Sequence, residues 1–190
     1  MYLINIQNRD ILIKDEEPLE YYDVEKGSQL QLHDLTKKTR NICSLGLRFV
    51  DLGDGKGFKR TPWSKEALRW RIARRGLCLK GLCQNPQCDA NGQQVVMTIG
   101  YKVFDVVADS DETTTICSIY KNYVDPITCG FNNCWWKFQG KKKERQDDGK
   151  APIKCSCDWQ QADDAYHYFD QQTNPLVTWI QLKIEAVKNM

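Results

Sequence analysis

Two cysteine-flanked turns carry the fold prediction: Cys83-Gln84-Asn85-Pro86-Gln87-Cys88 and Cys129-Gly130-Phe131-Asn132-Asn133-Cys134. Each turn presents two thiols with the same spacing, and six of the nine cysteines fall between Gly76 and Gly140. A zinc ion gains most from sulfur ligands and asks only for four of them in a tetrahedron. The stretch 76–140 is therefore predicted to form a β unit stabilised by a bound metal ion.

The predicted ligands of this ion are Cys83, Cys88 and Cys117, with Cys134 or Cys129 turning in as the fourth. The segment Cys117-Ser118-Ile119-Tyr120 lies where a zinc ribbon carries its second cysteine pair, and Tyr120 stands at the place of the missing thiol. A neutral phenol is a poor partner for zinc beside three thiolates. Disulfides and plain buried thiols are the alternatives, although the odd number of cysteines and the lack of a secretion signal favour reduced, metal-bound thiols.

Composition indicates an ordinary globular protein of one or two domains. The chain has 190 residues, 41% hydrophobic and 27% charged, with a net charge of +2. Such a small charge gives no general affinity for nucleic acid. No apolar run approaches the ~20 residues that a membrane helix needs, and no targeting segment opens the chain. The expected location is therefore the cytoplasm or the nucleus, with no membrane partner.

One segment is strongly basic. Between Phe58 and Lys80 there are eight lysines and arginines against Glu66 alone. Arginines interleaved with Trp63 and Trp70 suit a surface that grips phosphates and stacks bases. The alternative is that the tryptophans anchor the core, while the arginines are their solvated neighbours or pair with the acidic stretch of Asp105, Asp109, Asp111 and Glu112. The candidate interaction residues in this segment are Arg69, Trp70, Arg71, Arg74 and Arg75.

Alternation and turn residues predict mostly strands. The first part of the chain predicts short strands at 2–7, 11–13 and 29–32, and the remainder predicts strands at 44–52 and 176–184. Residues 95–99 and 101–107 are expected to form a hairpin or two neighbouring strands around Gly100. Residues 62–75 are expected to be a short helix or an irregular extended segment, and 159–169 a short helix. The end of the chain is expected to be helical or frayed.

The opening residues resemble a known family. The run Ile13-Lys14-Asp15, Leu19, Tyr22, Val24, Gly27, Leu30 and Leu32 resembles the second half of a ubiquitin-like β-grasp domain. The resemblance implies that the chain begins at the third strand of that fold, as a truncated chain or as strands that lean on the rest of the molecule. The apolar recognition patch and the terminal diglycine of ubiquitin are missing, so conjugation to other proteins is not expected.

The cysteine-rich half carries a second resemblance. Its pattern of Gly76-Leu77-Cys78-Leu79, Cys83-x4-Cys88, Phe104-Asp105 and Thr128 to Trp135 is similar to the region that follows a ubiquitin-like domain in uncharacterised eukaryotic proteins. The expected fold is α+β but mostly β, a partial ubiquitin-like β-grasp plus a zinc-ribbon-like domain. Its expected parts are a ubiquitin-like segment at 1–35, a linker at 36–43 and a cysteine-rich β domain at 44–190, with its core at 76–140.

Three functions fit these patterns, and an enzyme is not expected because neither histidine, His33 or His167, sits in a recognisable catalytic motif. The first is a non-catalytic ubiquitin-like protein whose zinc-stabilised β domain binds a protein partner, for example a ubiquitin-pathway component. The second is a nucleic-acid-binding zinc module that uses the arginines of 69–75. The third is an accessory subunit of a ubiquitin ligase.

Overall fold

A computed structural model describes residues 2–5, 12–13, 30–33, 46–55, 57–64, 66–143 and 151–189. The chain divides into two compact units, Met1–Ser44 and Leu45–Met190. The predicted linker 36–43 lies outside the described residues. Among the described residues, no helix has the length and apolar character needed to span a membrane.

The residues of the first unit that the structure describes form a small antiparallel sheet. Strands β1 (Tyr2–Asn5), β2 (Leu12–Ile13) and β3 (Leu30–His33) lie in the order β2-β1-β3. The first strand pairs with both others, with Leu3 opposite Ile13 on one side and Leu32 on the other. These strands coincide with the three short strands predicted from alternation in this part of the sequence.

The second unit is built from two five-stranded antiparallel sheets. One has the order β11-β10-β13-β4, with β8 also pairing to β13, and the other has the order β5-β12-β9-β6-β7. The strands are β4 (Leu47–Val50), β5 (Phe58–Thr61), β6 (Gly76–Leu82), β7 (Gln94–Gly100), β8 (Val103–Asp105), β9 (Pro126–Asn132), β10 (Cys134–Lys143), β11 (Ile153–Ala162), β12 (Tyr166–Phe169) and β13 (Leu176–Val187).

The core lies between these two sheets. Phe131 of β9 stacks on Trp136 of β10 with ring centroids 4.1 Å apart and planes inclined by 10°. Phe58 and Phe169 close around the Trp136 ring from β5 and β12. Asn133, between β9 and β10, has a φ of 46°, which lets the chain turn from one sheet to the other. Aromatic burial across the gap thus joins the sheets into one sandwich.

The prediction of a mostly β chain is confirmed, but the helices expected in an α+β fold are not found among the described residues. The expected helix at 159–169 is wrong, because those residues form the end of β11 and all of β12. The alternation of Tyr166, His167, Tyr168 and Phe169 places every second side chain in the core, which is strand behaviour. The chain end is also a strand, since β13 continues to Val187.

Of the two arrangements expected for 95–99 and 101–107, the hairpin is wrong, whereas two strands on either side of Gly100 are found. Strand β7 pairs with β6 in one sheet, while β8 pairs with β13 in the other. Gly100, with a φ of 86°, marks the point where the chain leaves the first sheet. A short interval with a glycine is the usual signal of a hairpin, but here burial of Phe104 in the core decides the partner of β8.

Candidate functional site

Three buried thiols form a group that could hold a metal ion. The Sγ atoms of Cys83, Cys88 and Cys117 all lie within 4.8 Å of one another. Their residues are 1%, 5% and 0% exposed. The separation of Cys88 Sγ from Cys117 Sγ is 3.7 Å. The structure therefore brings together the three thiols that the sequence predicted as ligands.

The first two thiols are placed by the loop that joins β6 to β7. Cys83 follows the last residue of β6, and its backbone N–H donates to the Gln93 carbonyl at 3.0 Å, while its carbonyl accepts from Gly92. Cys88 is held by its N–H to the Asn85 carbonyl, at 3.1 Å. The turn around Asn85-Pro86 thus folds both sulfur atoms to one side of the loop. Pro86 favours such a turn because its ring presets the backbone angle.

The third thiol comes from a small hairpin between β8 and β9. Ile116 and Tyr123 form an isolated bridge, and Val124 N–H donates to the Thr115 carbonyl at 2.8 Å. At the tip, Lys121 adopts a φ of 59° and its N–H donates to the Cys117 carbonyl. The two loops are remote in sequence, and the cysteine group is where they meet.

Backbone N–H groups point at the sulfur atoms in both loops. Burial raises the pKa of the Cys117 thiol, but the N–H groups of Tyr120 and Ile119 and the neighbouring thiols outweigh it, so that this pKa is lowered on balance. Burial raises the pKa of Cys83 to about 11, although the Asn85 N–H opposes the shift. Hydrogen bonds to the charged form favour a thiolate. Of Cys83 and Cys117, Cys117 is therefore the thiol that ionises more readily.

The spacing of the sulfur atoms fits zinc. A zinc–sulfur bond of ~2.3 Å in a tetrahedron places two sulfur atoms about 3.8 Å apart. The observed separation of 3.7 Å between Cys88 and Cys117 is close to that edge. A group of three cysteines in a dry, thiol-lined site suits a soft or borderline cation. Zinc could therefore be held here by three protein thiolates with one further position to fill.

The two candidates for that further position lie elsewhere. Cys129 sits within β9 opposite Leu79, and Cys134 opens β10 opposite Ala162. Neither belongs to the thiol group around Cys117. Burial raises the pKa of Cys129 strongly and that of Cys134 to about 11, so both are suited to remain neutral thiols in the core.

Tyr120 is also occupied by another contact. Its hydroxyl donates to Gln87 Oε1 at 2.9 Å, and its residue is 47% exposed. The bond joins the Cys117 loop to the Cys83–Cys88 loop on the outside. Sequence reasoning gave Tyr120 the place of a missing ligand, whereas its hydroxyl links the two loops.

The second candidate site is the basic segment 62–75. Its described residues, 62–64 and 66–75, are irregular except for a 3₁₀ turn at Arg69–Arg71, which lies against β7. The thiol of Cys78 donates to the Arg74 carbonyl at 3.2 Å, which ties the segment to β6. Arg69, Arg71, Arg74 and Arg75 are exposed, while Trp70 is half-buried and packs on the core. The predicted interaction residues thus divide into one anchor and four solvent-facing cations.

A row of aromatic rings continues from this segment onto the sheet. The ring centroid of Trp63 lies 6.2 Å from that of Tyr166, which lies 5.7 Å from that of Tyr168. The ammonium of Lys80 lies 4.0 Å from the Tyr168 centroid. An alanine methyl at Gly130 would meet Tyr166 at 2.5 Å, so the glycine makes room for that ring. Sequence reasoning missed this row, although alternation in 166–169 was a usable signal.

Lys80 should make stability depend on pH. Burial lowers the pKa of its ammonium to about 8, from an ordinary value of 10.5. Between these two pH values the unfolded chain binds more protons than the folded chain, so this lysine makes stability rise with pH. We expect Lys80→Met to stabilise the protein at pH 7, on the order of 2 kcal/mol after allowing for partial exposure, and by less at pH 10. Urea unfolding at both pH values measures the difference.

The exposed Lys141 on β10 is the control, because Lys141→Met should give the same small change at both pH values. Equal stabilisation by Lys80→Met at pH 7 and pH 10 would contradict the role of the buried charge.

Comparison with known proteins yields no match: no family model, no curated protein and no solved structure resembles this chain.

Proposed function

We propose that this chain is a non-catalytic binding protein whose β domain is held together by a structural zinc ion and serves as a surface for a protein partner. The observation that carries the proposal is the group of three buried thiols at Cys83, Cys88 and Cys117. Zinc supplied there would tie the β6–β7 loop to the hairpin at 115–124. Zinc in a closed cysteine site contributes folding energy rather than chemistry.

Burial supports a structural role. The three cysteines are at most 5% exposed, which leaves little room for the solvent position that a catalytic zinc keeps open. His167 is not among the ligands, since its Nε2 bonds to Asp163 Oδ1 at 2.7 Å. The remaining ligand belongs in this proposal to a protein side chain or a small thiolate that completes the tetrahedron.

The ubiquitin-like character of the opening segment is a part of the proposal. Its support is the residue pattern from Ile13 to Leu32 together with the pairing of one strand, β1, to both β2 and β3. A partner from the ubiquitin pathway is the corresponding expectation. Stimulation of ubiquitin transfer only in the presence of a conjugating enzyme would assign the chain instead to a ligase accessory role.

Metal content tests the central claim. Protein purified without chelator should contain one zinc per chain, and replacement by cobalt should give the intense thiolate-to-cobalt absorption of a sulfur-rich tetrahedral site. The intensity reports the number of thiolates without any assay of activity. Absence of bound metal after purification and no uptake of added zinc or cobalt would exclude the site.

Tyr120→Cys should complete the ligand set. Position 120 lies three residues after Cys117 in a tip whose N–H groups already point at the Cys117 sulfur, which is the spacing of many zinc-binding turns. We expect zinc affinity to rise at least tenfold, measured by competition with a chromophoric chelator. Tyr120→Ser also removes the bond to Gln87 but offers no thiol, so it should not tighten zinc. Equal affinities of the two variants would show that residue 120 does not reach the metal.

A further inference from the structure

We infer that the exposed face of segment 62–75, together with the cavity beside it, binds single-stranded nucleic acid and holds one nucleotide in that cavity. The inference concerns a surface away from the thiol group and does not depend on the metal. Its parts are four arginines, one exposed tryptophan and a polar cavity whose wall includes two cations and two rings.

Within the described ranges, the arginines of this segment lack acidic partners. Arg69, Arg71, Arg74 and Arg75 are all exposed, and none is in an ion pair with another described residue. Asp170 pairs with Lys59, and Asp163 pairs with Arg60 and His167. Asp164 accepts hydrogen bonds from Trp63 and Asn133, and Glu66 is the one exposed carboxylate among the described residues of the segment. Four exposed guanidinium groups within seven residues of the chain create a positive potential that a polyanion would neutralise.

Trp63 is an exposed ring that the fold holds in place. Its residue is 43% exposed, while its Nε1 donates to Asp164 Oδ1 at 3.1 Å and its ring lies against Tyr166. Leu68 and Ile72 in the same segment are 50% and 54% exposed. A fixed aromatic ring that faces solvent offers a stacking surface, because any base presents a π-face to it.

A cavity is linked to this ring through a shared carboxylate. The cavity has a volume of about 310 Å³ and is open to solvent. Asn133 in its wall donates at 2.8 Å to the same Asp164 oxygen that accepts from Trp63. The cations in the wall are Arg75 and Lys188, the rings are Tyr101 and Trp135, and Gln161 adds an amide. The wall also contains one carboxylate, Asp163, which is paired with Arg60 and His167.

These groups match the parts of a nucleotide. Guanidinium and ammonium groups bind phosphate, aromatic rings stack on bases, and amides hydrogen-bond to base edges. The volume lies at the lower end of the range of small-ligand sites. Duplex nucleic acid keeps its bases stacked inside and would leave Trp63 and the cavity without partners, whereas an unpaired strand can use both. An acidic peptide would satisfy the arginines but not the rings.

Fluorescence anisotropy of labelled RNA and DNA dodecamers, titrated with the full chain at 20 to 200 mM salt, tests the inference. We expect saturable binding of single strands that weakens with salt, with a slope of about −0.7 for each phosphate contact. Arg71→Ala, Arg74→Ala and Arg75→Ala combined should weaken binding at least tenfold and reduce the slope by about 2. Trp63→Leu should weaken binding by about tenfold and leave the slope unchanged.

The matched control combines Lys141→Ala, Lys154→Ala and Lys183→Ala, which removes the same charge from strands β10, β11 and β13. It should leave the affinity for single strands nearly unchanged. Circular dichroism melts establish that each variant is folded, and the arginine variant provides the decision if Trp63→Leu fails to fold. The inference is overturned by no saturable binding, by equal affinity for a duplex or a glutamate dodecamer, or by an equal loss in the lysine control. Zinc content is measured separately, so either result leaves the metal proposal standing on its own evidence.

Discussion

Cys83→Ser is expected to release zinc and to abolish cooperative unfolding of the cysteine-rich β domain. Apparent binding free energies of structural zinc reach ~10–16 kcal/mol in zinc-finger peptides, whereas whole domains are stable by only ~5–15 kcal/mol. Loss of one thiolate from a three-thiol set therefore removes a quantity comparable to the entire stability. The measurements are metal content and a thermal melt followed by near-ultraviolet circular dichroism.

Cys155→Ser is the matched control for this variant. Cys155 is a half-buried thiol on β11 outside the metal-capable group, so its replacement should keep both zinc and the melting transition. Cys129→Ala and Cys134→Ala add a test of the fourth ligand, since each retains zinc if its thiol only packs in the core. The contrary result is a parent protein that carries no zinc and a Cys83→Ser variant that melts like that parent. These thiols would then be plain buried residues.

The second large effect is expected at Trp179. This residue is 0% exposed, its Nε1 donates to the Val50 carbonyl at 3.1 Å, and its ring meets Phe138 edge to face at 6.0 Å. Trp179→Ala should cost about 3–5 kcal/mol through the lost ring and the cavity it leaves, and it also leaves the Val50 carbonyl without its partner. For a domain of this size each kcal/mol lowers the melting temperature by about 2–4 °C.

Trp63→Ala is the control of the same residue type. Its side chain is largely on the surface, so it should change stability by a small fraction of the Trp179 effect. Chemical denaturation of both variants gives the comparison. A Trp179→Ala protein as stable as the Trp63→Ala protein would show that the β13 core does not depend on this ring.

Trp70 is half-buried, so its exposure lies between the cases of Trp179 and Trp63. The sequence left open whether Trp70 anchors the core or stacks on a ligand. The structure packs it against the core, with its Nε1 buried and without a hydrogen-bond partner in the described part of the chain. Trp63, by contrast, faces solvent. Alternation could not separate the two, because the described residues of segment 62–75 are largely irregular and have no fixed period.

The sequence by itself determined the features that depend on neighbours along the chain. The turn at Asn85-Pro86 places Cys83 and Cys88 on one side, and a turn is a local property of its residues. Alternation located β4 and β13 for the same reason, because the side-chain direction in a strand depends only on position along it. The mostly β character followed from these local periods.

Only the tertiary structure decided which distant segments meet. Strand β8 pairs with β13 rather than with β7, its neighbour along the chain, and β5 pairs with β12 across about a hundred residues. It is also the packing of two loops that brings Cys117 to Cys83 and Cys88 and leaves Cys129 and Cys134 in the strands. Packing of remote segments likewise brings Trp63, Tyr166 and Lys80 together. The pairing of remote strands depends on which side chains are buried together and on the cost of closing the loops between them. Neither quantity can be read from the local periodicity of the sequence.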